Sequence, residues 1–275
     1  MFKSKTNGKY RTQGKNGNGN HLDTELPFQM DMNGKSSANM PVYRESKHYS
    51  LDAKIALDNG AVCISPDASE NEFYKVLRTQ IQHRTKEKGW NTIMITSAHP
   101  GEGKTLTSIN LAITFAKEID RTVLLVDGDL RKQDVRRYLN IKNNGGLIDY
   151  LVADRPLQDI IIWPGIDKFT LISGGRTVRD SSELLGSPMM KNLALDLKNR
   201  YSDRYVLFDV PPVFAGADAM VFAPLVDGFI MIVEAGKTTL SDIRRALAML
   251  PEEKFLGFVF NRQKRSLMNY GDYYY

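Results

Sequence analysis

The chain has 275 residues, of which 42% are apolar and 25% are charged, a composition typical of a soluble globular protein. Its formal net charge of +5 lies wholly in the first twenty residues, because the remaining chain carries 32 basic and 32 acidic side chains; this neutral body gives no sign of a nucleic-acid partner. The single cysteine, Cys63, excludes an internal disulfide framework and a cysteine-rich metal site within one chain, and no apolar run reaches the roughly 18 residues of a membrane span, so we expect a cytoplasmic protein.

The N-terminal region differs in composition from the rest of the chain. Residues 1–40 are rich in Gly, Asn, Lys and Ser, and such a segment buries too little apolar surface to offset the entropy lost on ordering. We predict a disordered basic arm over residues 1–60, with residues 41–65 a transition partly ordered against the body. A folded domain would then occupy residues 61–262, and a flexible tail residues 263–275.

Helical periodicity begins after Pro66. Ser69 or Asp67 can cap this helix, and four apolar side chains recur on one face: Phe73, Val76, Leu77 and Ile81. Further on, short β-branched runs alternate with helical stretches such as 105–117 and 187–201; the runs predicted as strands are 92–96, 122–127, 169–172, 205–209, 229–234 and 256–260. Nearly continuous apolar strands alternating with helices predict an α/β fold with a mostly parallel sheet covered on both faces.

The segment 97–105, SAHPGEGKT, lies between a predicted strand and a predicted helix, as a phosphate-binding P-loop does. Gly101 and Gly103 allow the backbone N–H groups to point at phosphate oxygens, and the following helix adds its positive end. Lys104 can neutralise the β- and γ-phosphates, and the hydroxyl of Thr105 can ligate Mg²⁺. Ala98 replaces the usual first glycine of the motif. The predicted ATP-binding residues here are Pro100, Gly101, Glu102, Gly103, Lys104, Thr105 and Leu106.

Three aspartates follow two other predicted strands. Asp127 and Asp129 end the run VLLVDGD, and Asp209 ends VLFD; ligands of an open parallel sheet bind at these carboxyl ends. The carboxylates supply hard oxygen ligands for Mg²⁺ and an acceptor for the proton of an attacking hydroxyl. We predict Lys104, Asp127 and Asp129 as catalytic residues and Thr105, Asp127 and Asp209 as metal ligands. The division of metal and base roles between Asp127 and Asp129 stays open.

The P-loop, the DGDLRK segment and the DVPP segment together resemble the deviant P-loop ATPases of ParA and MinD type, and among them the bacterial tyrosine kinases of capsular and exopolysaccharide biosynthesis. The resemblance spans about residues 60–275. It implies a P-loop NTPase fold, ATP and Mg²⁺ as cofactors, and protein-tyrosine kinase activity. It also implies an adenine contact at Asn261, with Arg262 beside it.

The same resemblance implies a homo-oligomeric ring. The family joins subunits through an E-x-x-R-x-x-R pattern in the helix before the first strand, and here the matching residues are Glu72, Lys75 and Arg78. Lys75 lacks the planar fork of the arginine that the family has at this position. From the residues alone, the three are equally consistent with exposed helix charges at i,i+3 spacing.

The chain ends in NYGDYYY, which brings four tyrosines into its last six residues: Tyr270, Tyr273, Tyr274 and Tyr275. A terminal run after the last predicted strand is consistent with a sticky tail or with a flexible substrate. The resemblance implies autophosphorylation of this cluster in a neighbouring subunit's site. Repulsion among the added phosphates, each about −1.5 to −2 in charge, would then favour disassembly of the ring.

The resemblance further implies a process and partners. Such kinases control polymerisation or export of polysaccharide, with a separate membrane activator of the chain-length-regulator, or co-polymerase, type and a cognate tyrosine phosphatase. We therefore expect a peripheral position at the inner face of the cytoplasmic membrane. The basic arm could add attraction to an anionic leaflet, about 1 kcal/mol for each Lys or Arg near the surface.

Three other functions share part of this pattern. A ParA- or MinD-like partitioning or positioning ATPase without kinase activity would carry a signature lysine where His99 stands. An electron-donating ATPase that shares an iron–sulfur cluster across a dimer needs two cysteines per chain. A regulator that only binds ATP would not require Lys104 together with all three aspartates.

Overall fold

The computed structural model describes residues 47–49, 51–142 and 145–263. The strands of this region are β1 (Lys47–His48), β2 (Thr92–Ser97), β3 (Thr122–Asp127), β4 (Ile161–Trp163), β5 (Phe169–Ile172), β6 (Arg204–Asp209), β7 (Gly228–Glu234) and β8 (Phe255–Asn261). Its helices are α1 (Ala53–Asp58), α2 (Asn71–Thr85), α3 (Lys104–Ala116), α4 (Asp134–Tyr138), α5 (Leu147–Ala153), α6 (Leu157–Ile160), α7 (Ser181–Leu185), α8 (Pro188–Asn199), α9 (Asp218–Phe222) and α10 (Leu240–Leu247). None of these helices has the length and apolarity needed to cross a lipid bilayer.

The strands form one sheet in the order β1-β4-β5-β3-β6-β2-β7-β8. Every pairing is parallel except that of β4 with β5. The predicted fold class is confirmed, and each of the six predicted strands is present. The sequence pattern does not reveal β1 and β4, because two or three residues are too few to display a period.

Helices cover both faces of the sheet. Successive strand residues point to opposite faces, and apolar residues on both faces need to be covered. In β2, Met94 packs into one apolar cluster, whereas Ile93 and Ile95 pack into the other. The first cluster contains side chains of α5, α8, α9 and α10, and the second contains side chains of α2 and α3. All six residues of β2 and of β3 are buried. Burial on both faces explains the nearly continuous apolar runs of these central strands.

Secondary structure begins before residue 61, where the predicted arm ends. Strand β1 pairs with β4, and α1 buries Ala56 in the same cluster as the side chains of α3. Asp52 caps α1 by accepting a hydrogen bond from the N–H of Ile55 at 3.1 Å. Helix α1 thus contacts the folded body on the N-terminal side of the predicted boundary at residue 60.

Helix α2 buries only part of the apolar face that its spacing predicted. Phe73 and Val76 are 59% and 61% exposed, whereas Tyr74, Leu77 and Ile81 pack against the cluster around α3. Contact with α3 covers the side of the predicted stripe that carries Leu77 and Ile81 and leaves the other side exposed. The predicted caps are also wrong: Glu70 is the N-cap residue, and no side chain caps this helix end.

Candidate active site

The P-loop connects β2 to α3 and turns at two glycines. Gly101 and Gly103 have φ values of 87° and 97°, a left-handed conformation that side chains with a Cβ rarely adopt. At Gly103 a Cβ would also lie 2.0 Å from Nδ2 of Asn261. Glycine at Gly103 thus permits the left-handed turn and leaves room for the side chain of Asn261.

Lys104, the first residue of α3, extends towards two carboxylates. Its Nζ lies 2.9 Å from Oδ2 of Asp129 and 3.5 Å from Oδ2 of Asp209. Burial alone would lower the pKa of Lys104, but the nearby charges of Asp209 and Asp129 outweigh burial and raise it. The side chain is therefore an ammonium held inside the site, as phosphate neutralisation requires.

Asp209 ends β6 and is fully buried. Its Oδ2 accepts a hydrogen bond from the hydroxyl of Thr105 at 2.7 Å, and its Oδ1 accepts one from the hydroxyl of Ser108 at 3.2 Å. Burial raises the pKa of Asp209 in spite of the opposing charge of Lys104. The sequence analysis missed Ser108, although its position one helical turn after Lys104 puts it on the same face of α3.

Asp127 ends β3 and is also fully buried. Its two oxygens accept backbone hydrogen bonds from Asp129, at 3.2 Å, and from Val135, at 3.3 Å. Burial and the nearby charge of Asp209 raise the pKa of Asp127 well above its usual range. Because β3 pairs with β6 so that Asp127 lies beside Asp209, the sheet register itself brings the predicted aspartates together.

Glu102, in the middle of the P-loop, anchors the loop to the neighbouring end of the sheet. Its carboxylate accepts hydrogen bonds from the N–H of His99, at 2.8 Å, and from the hydroxyl of Thr238, while its carbonyl accepts one from Nδ2 of Asn261 at 2.8 Å. Asn261, predicted to contact adenine, thus bonds to the P-loop backbone. Arg262 is exposed and pairs with Glu234, with 3.4 Å between Nη1 and Oε1.

The two remaining P-loop predictions lie at the ends of the motif. Pro100 is exposed where the loop leaves β2, and Leu106, in the first turn of α3, packs beside Gly60. These contacts assign no chemical role to the side chain of Pro100 or of Leu106.

Arg131, which follows the aspartate segment, belongs to a network that the sequence did not reveal. Its Nε donates to the hydroxyl of Ser181 at 2.8 Å and lies 3.3 Å from Oδ2 of Asp218. Asp218 is buried, and burial raises its pKa against the opposing effects of Ser181 and Arg131. Arg131 is therefore held beside the site by a buried acid.

The predicted oligomerisation residues differ in their surroundings. Glu72 and Lys75 form an exposed ion pair at 2.6 Å. Arg78 instead turns towards α3, where it pairs with Glu118 at 2.5 Å and donates to the carbonyl of Thr114 at 2.7 Å. The four predicted autophosphorylation residues, Tyr270, Tyr273, Tyr274 and Tyr275, lie outside the described residues.

The oxygen atoms of this site are suited to a Mg²⁺ ion that binds together with a nucleotide. Within residues 47–49, 51–142 and 145–263, no group of three or more His, Cys, Asp or Glu side chains could hold a metal ion by itself. Mg²⁺ keeps several waters and usually takes one or two carboxylates together with substrate phosphates. The hydroxyl of Thr105 beside the carboxylate of Asp209 matches that requirement.

Comparison with known proteins identifies the family. The family model described as an AAA domain matches residues 90–247. The tyrosine-protein kinase YwqD of Bacillus subtilis (strain 168) is 33% identical over 211 residues, which cover 76% of this chain and 88% of that protein.

Solved structures give the same result. The kinase domain of the Escherichia coli tyrosine kinase ETK is similar with a TM-score of 0.67 and 26% identity, over 82% of this chain and 93% of that one. The septum site-determining protein MinD of Pyrococcus horikoshii OT3, complexed with Mg-ADP, is similar with a TM-score of 0.51 and 25% identity, over 64% of this chain and 72% of that one. The chain belongs to the bacterial tyrosine-protein kinases, which share the P-loop ATPase fold of MinD.

Proposed function

We propose that this protein transfers the γ-phosphoryl group of ATP to tyrosines of its own C-terminal cluster, Tyr270, Tyr273, Tyr274 and Tyr275. The observation that carries the proposal is the position of the Lys104 ammonium between Asp129 and Asp209 at the end of a P-loop. This arrangement puts a phosphate-neutralising cation beside carboxylates that can hold Mg²⁺ or accept a proton.

The P-loop would bind the triphosphate through its backbone N–H groups and the start of α3. Lys104 already carries its charge in the absence of nucleotide, since Asp209 and Asp129 raise its pKa. The hydroxyl of Thr105 and the carboxylates of Asp209 and Asp127 would hold Mg²⁺, which supplies charge neutralisation at the β- and γ-phosphates. Asn261 and Arg262, at the end of β8, would border the adenine.

The transfer step is a displacement at the γ-phosphorus. The bond between the tyrosine oxygen and phosphorus forms, the bond from the γ-phosphorus to the β–γ bridging oxygen breaks, and ADP leaves with the electron pair. A carboxylate at or just after the carboxyl end of β3 takes the phenolic proton, which tyrosine holds with a pKa near 10. Asp127 and Asp129 are the two candidates for this role, and both are almost completely buried.

The process and the partners are further parts of the proposal. They rest on the family resemblance: regulation of polysaccharide polymerisation or export, a membrane activator of chain-length-regulator type on a separate polypeptide, a cognate tyrosine phosphatase and a homo-oligomeric ring. The activator would hold the kinase at the inner face of the cytoplasmic membrane. The five basic residues of the first twenty would add electrostatic attraction to that surface.

The experiment is phosphate mapping. The full chain is incubated with Mg²⁺ and ATP, with and without the cytoplasmic tail of a candidate activator, and phosphorylated residues are identified by mass spectrometry. We expect phosphotyrosine within residues 270–275 and none in the Lys104→Met variant. ATP hydrolysis stimulated by DNA, without any phosphotyrosine, would indicate a partitioning ATPase instead.

A further inference from the structure

The hydroxyl of Thr238 contacts the P-loop from outside the motif. Thr238 lies in the turn that follows Glu234, the last residue of β7, and its N–H donates to the carbonyl of Glu234 at 3.1 Å. Its hydroxyl accepts a hydrogen bond from the N–H of Glu234 at 3.1 Å and donates one to the carboxylate of Glu102. The end of β7 therefore fixes the position of this hydroxyl, which in turn reaches the middle of the P-loop.

The backbone on either side of Glu102 does little to fix its position. Glu102 lies between Gly101 and Gly103, whose φ values are 87° and 97°, and glycine enters and leaves this conformational region easily. The path of the loop at Glu102 is thus set by contacts with other parts of the chain. Its carboxylate accepts the N–H of His99 at 2.8 Å as well as the hydroxyl of Thr238, so the side chain of Glu102 holds the loop.

Burial makes the hydrogen bond from Thr238 important. Glu102 is 2% exposed, and a carboxylate removed from water is costly unless hydrogen-bond donors surround it. Without the hydroxyl, one oxygen of Glu102 would lose its donor, and rotation of the carboxylate towards water would relieve that cost and displace the loop. A second contact of the loop with α10, with 3.4 Å between Nε2 of His99 and Oδ2 of Asp242, is partly exposed and holds the loop less firmly.

The part of the phosphate site that depends on this anchor is the backbone of residues 101–103. Lys104 begins α3 and is held separately, by Asp129 at 2.9 Å. The hydroxyl of Thr105 is held by Asp209 at 2.7 Å. A displaced loop would therefore misplace the N–H groups that bind phosphate, while the ammonium and the proposed Mg²⁺ ligand stay in position. Such N–H groups bind ATP both before and during the transfer, so their displacement should change KM for ATP more than kcat.

We propose that Thr238 is a positioning residue for ATP binding, which acts through Glu102 to hold the P-loop in the shape that receives the phosphates. The inference rests on the ATP binding proposed above and adds to it a residue that lies outside the P-loop and the aspartate segments. The hydroxyl is the group responsible. Serine should therefore replace threonine at this position, whereas valine, which has nearly the same shape but no hydroxyl, should not.

Calorimetric titration of the full chain with ADP and Mg²⁺ measures the effect on binding without turnover. We expect Thr238→Val to weaken ADP binding about three- to tenfold, the usual effect of one hydrogen bond, and Thr238→Ser to bind as the unaltered chain does. Glu102→Ala should weaken binding at least as much, and Glu102→Ala/Thr238→Val no further, because both changes remove the same contact. Initial rates of autophosphorylation at a series of ATP concentrations should show a similar increase in KM, with kcat changed by less than about twofold.

The matched control is Thr85→Val, the same substitution at a buried hydroxyl. Thr85 bonds to the carbonyl of Ile81 and to the hydroxyl of Tyr205 near the amino end of β6, whereas the P-loop lies at the opposite end of the sheet. This variant should lower the free energy of unfolding in urea and leave the affinity for ADP unchanged. Circular dichroism checks folding, and Thr238→Ala is the second variant if Thr238→Val does not fold.

Equal ADP affinity in Thr238→Val and in the unaltered chain would overturn the inference. So would a Thr238→Ser variant that binds as weakly as Thr238→Val, additive losses in the double variant, or an equal loss in Thr85→Val. A chain that binds ADP but forms no phosphotyrosine would remove the proposed autophosphorylation and leave this inference standing. An unaltered chain that binds no ADP would remove both.

Discussion

The hydroxyl of Thr105 donates to Oδ2 of Asp209 across 2.7 Å and joins the first turn of α3 to the carboxyl end of β6. The two residues are 104 positions apart in the chain. The ammonium of Lys104 lies 3.5 Å from the same carboxylate oxygen. One buried oxygen therefore organises the phosphate-binding lysine and the hydroxyl that we propose as a Mg²⁺ ligand.

Asp209→Asn should separate the shape of this site from its charge. The asparagine can still accept the hydroxyl of Thr105, but it brings no negative charge to Lys104 or to Mg²⁺. We expect kcat for autophosphorylation to fall by about 10²–10³-fold, the usual cost of one preorganised electrostatic group. Because the charge of Asp209 helps to keep the buried Lys104 ionised, its loss leaves that ammonium less well compensated, and the free energy of unfolding should decrease.

Initial rates with Mg²⁺ and ATP, together with urea unfolding, check both parts of this prediction. Ser108→Ala is the control, since it removes a hydrogen bond to Asp209 and leaves the charge in place. Its rate should stay well above that of Asp209→Asn. An Asp209→Asn enzyme as active as the unaltered chain would exclude Asp209 from the metal site.

Gly103→Ala and Gly101→Ala should differ although both place alanine at a left-handed position. The Cβ at Gly103 would lie 2.0 Å from Nδ2 of Asn261, whereas a Cβ at Gly101 meets nothing within 4 Å. Each substitution carries the conformational cost of about 1–2 kcal/mol, but only Gly103→Ala adds a clash. Isothermal titration calorimetry should find ATP binding weakened more in Gly103→Ala. Equal affinities in the two variants would show that the contact with Asn261 does not shape the loop.

The central part of the site could be predicted from the sequence because its residues follow strands of one parallel sheet. The carboxyl ends of such strands meet at one edge, and the observed pairing of β3 with β6 brings Asp127 beside Asp209 there. The P-loop adds a local signature in which Gly101, Gly103 and Lys104 are read from spacing alone. Nucleotide binding could be inferred from the same residues, since phosphate chemistry requires these groups together, whereas kinase activity was implied by the family resemblance.

The supporting contacts could not be predicted, because they join distant parts of the chain that have no common pattern. Thr238 reaches Glu102 across 136 residues, and Ser181 bonds to Asp218 across 37. The covered face of α2 was only partly predicted, for a related reason. All four predicted side chains are correctly spaced for a helix, yet the position of α3 leaves Phe73 and Val76 exposed while Leu77 is covered.

Arg78→Ala should destabilise the fold, whereas Lys75→Ala should not. The guanidinium of Arg78 pairs with Glu118 and donates to the carbonyl of Thr114 at the end of α3. Loss of these charge-assisted contacts should lower the free energy of unfolding by about 1.5–3 kcal/mol. The pair of Lys75 with Glu72 is exposed, so its loss should cost at most about 0.5–1 kcal/mol. Urea unfolding of both variants makes the comparison.

Lys75→Arg should favour assembly if the α2 surface joins subunits. The substitution restores the family pattern and adds a planar fork that can bind a carboxylate through two hydrogen bonds. Analytical ultracentrifugation should find a larger oligomeric fraction than in the unaltered chain at the same concentration, with Lys75→Gln as the control. An unchanged distribution would remove α2 from the proposed ring interface.

Asp227→Asn should destabilise the protein in a pH-dependent way. The carboxylate of Asp227 accepts hydrogen bonds from the N–H groups of Asn91 and Thr92, at 3.0 and 3.1 Å, and pairs with Lys198. Burial alone would raise the pKa of Asp227, but the bonds from Lys198, Asn91 and Thr92 outweigh burial and lower it. We therefore expect Asp227→Asn to lower the free energy of unfolding by about 1.5–3 kcal/mol at neutral pH.

The sign of the pH dependence follows from the lowered pKa. The ionised carboxylate stabilises the fold fully above the pKa of an unfolded aspartate, about 3.9, and this contribution is lost as the pH falls through the lower pKa of the folded state. Urea unfolding at a series of pH values should give a constant difference between Asp227→Asn and the unaltered chain above about pH 5, and a shrinking one in more acidic solution. Asp196→Asn is the control on the same side of the sheet, because its pair with Arg200 is exposed. A difference for Asp227→Asn that is no larger than that of Asp196→Asn would mean that the carboxylate does not hold β2, β7 and α8 together.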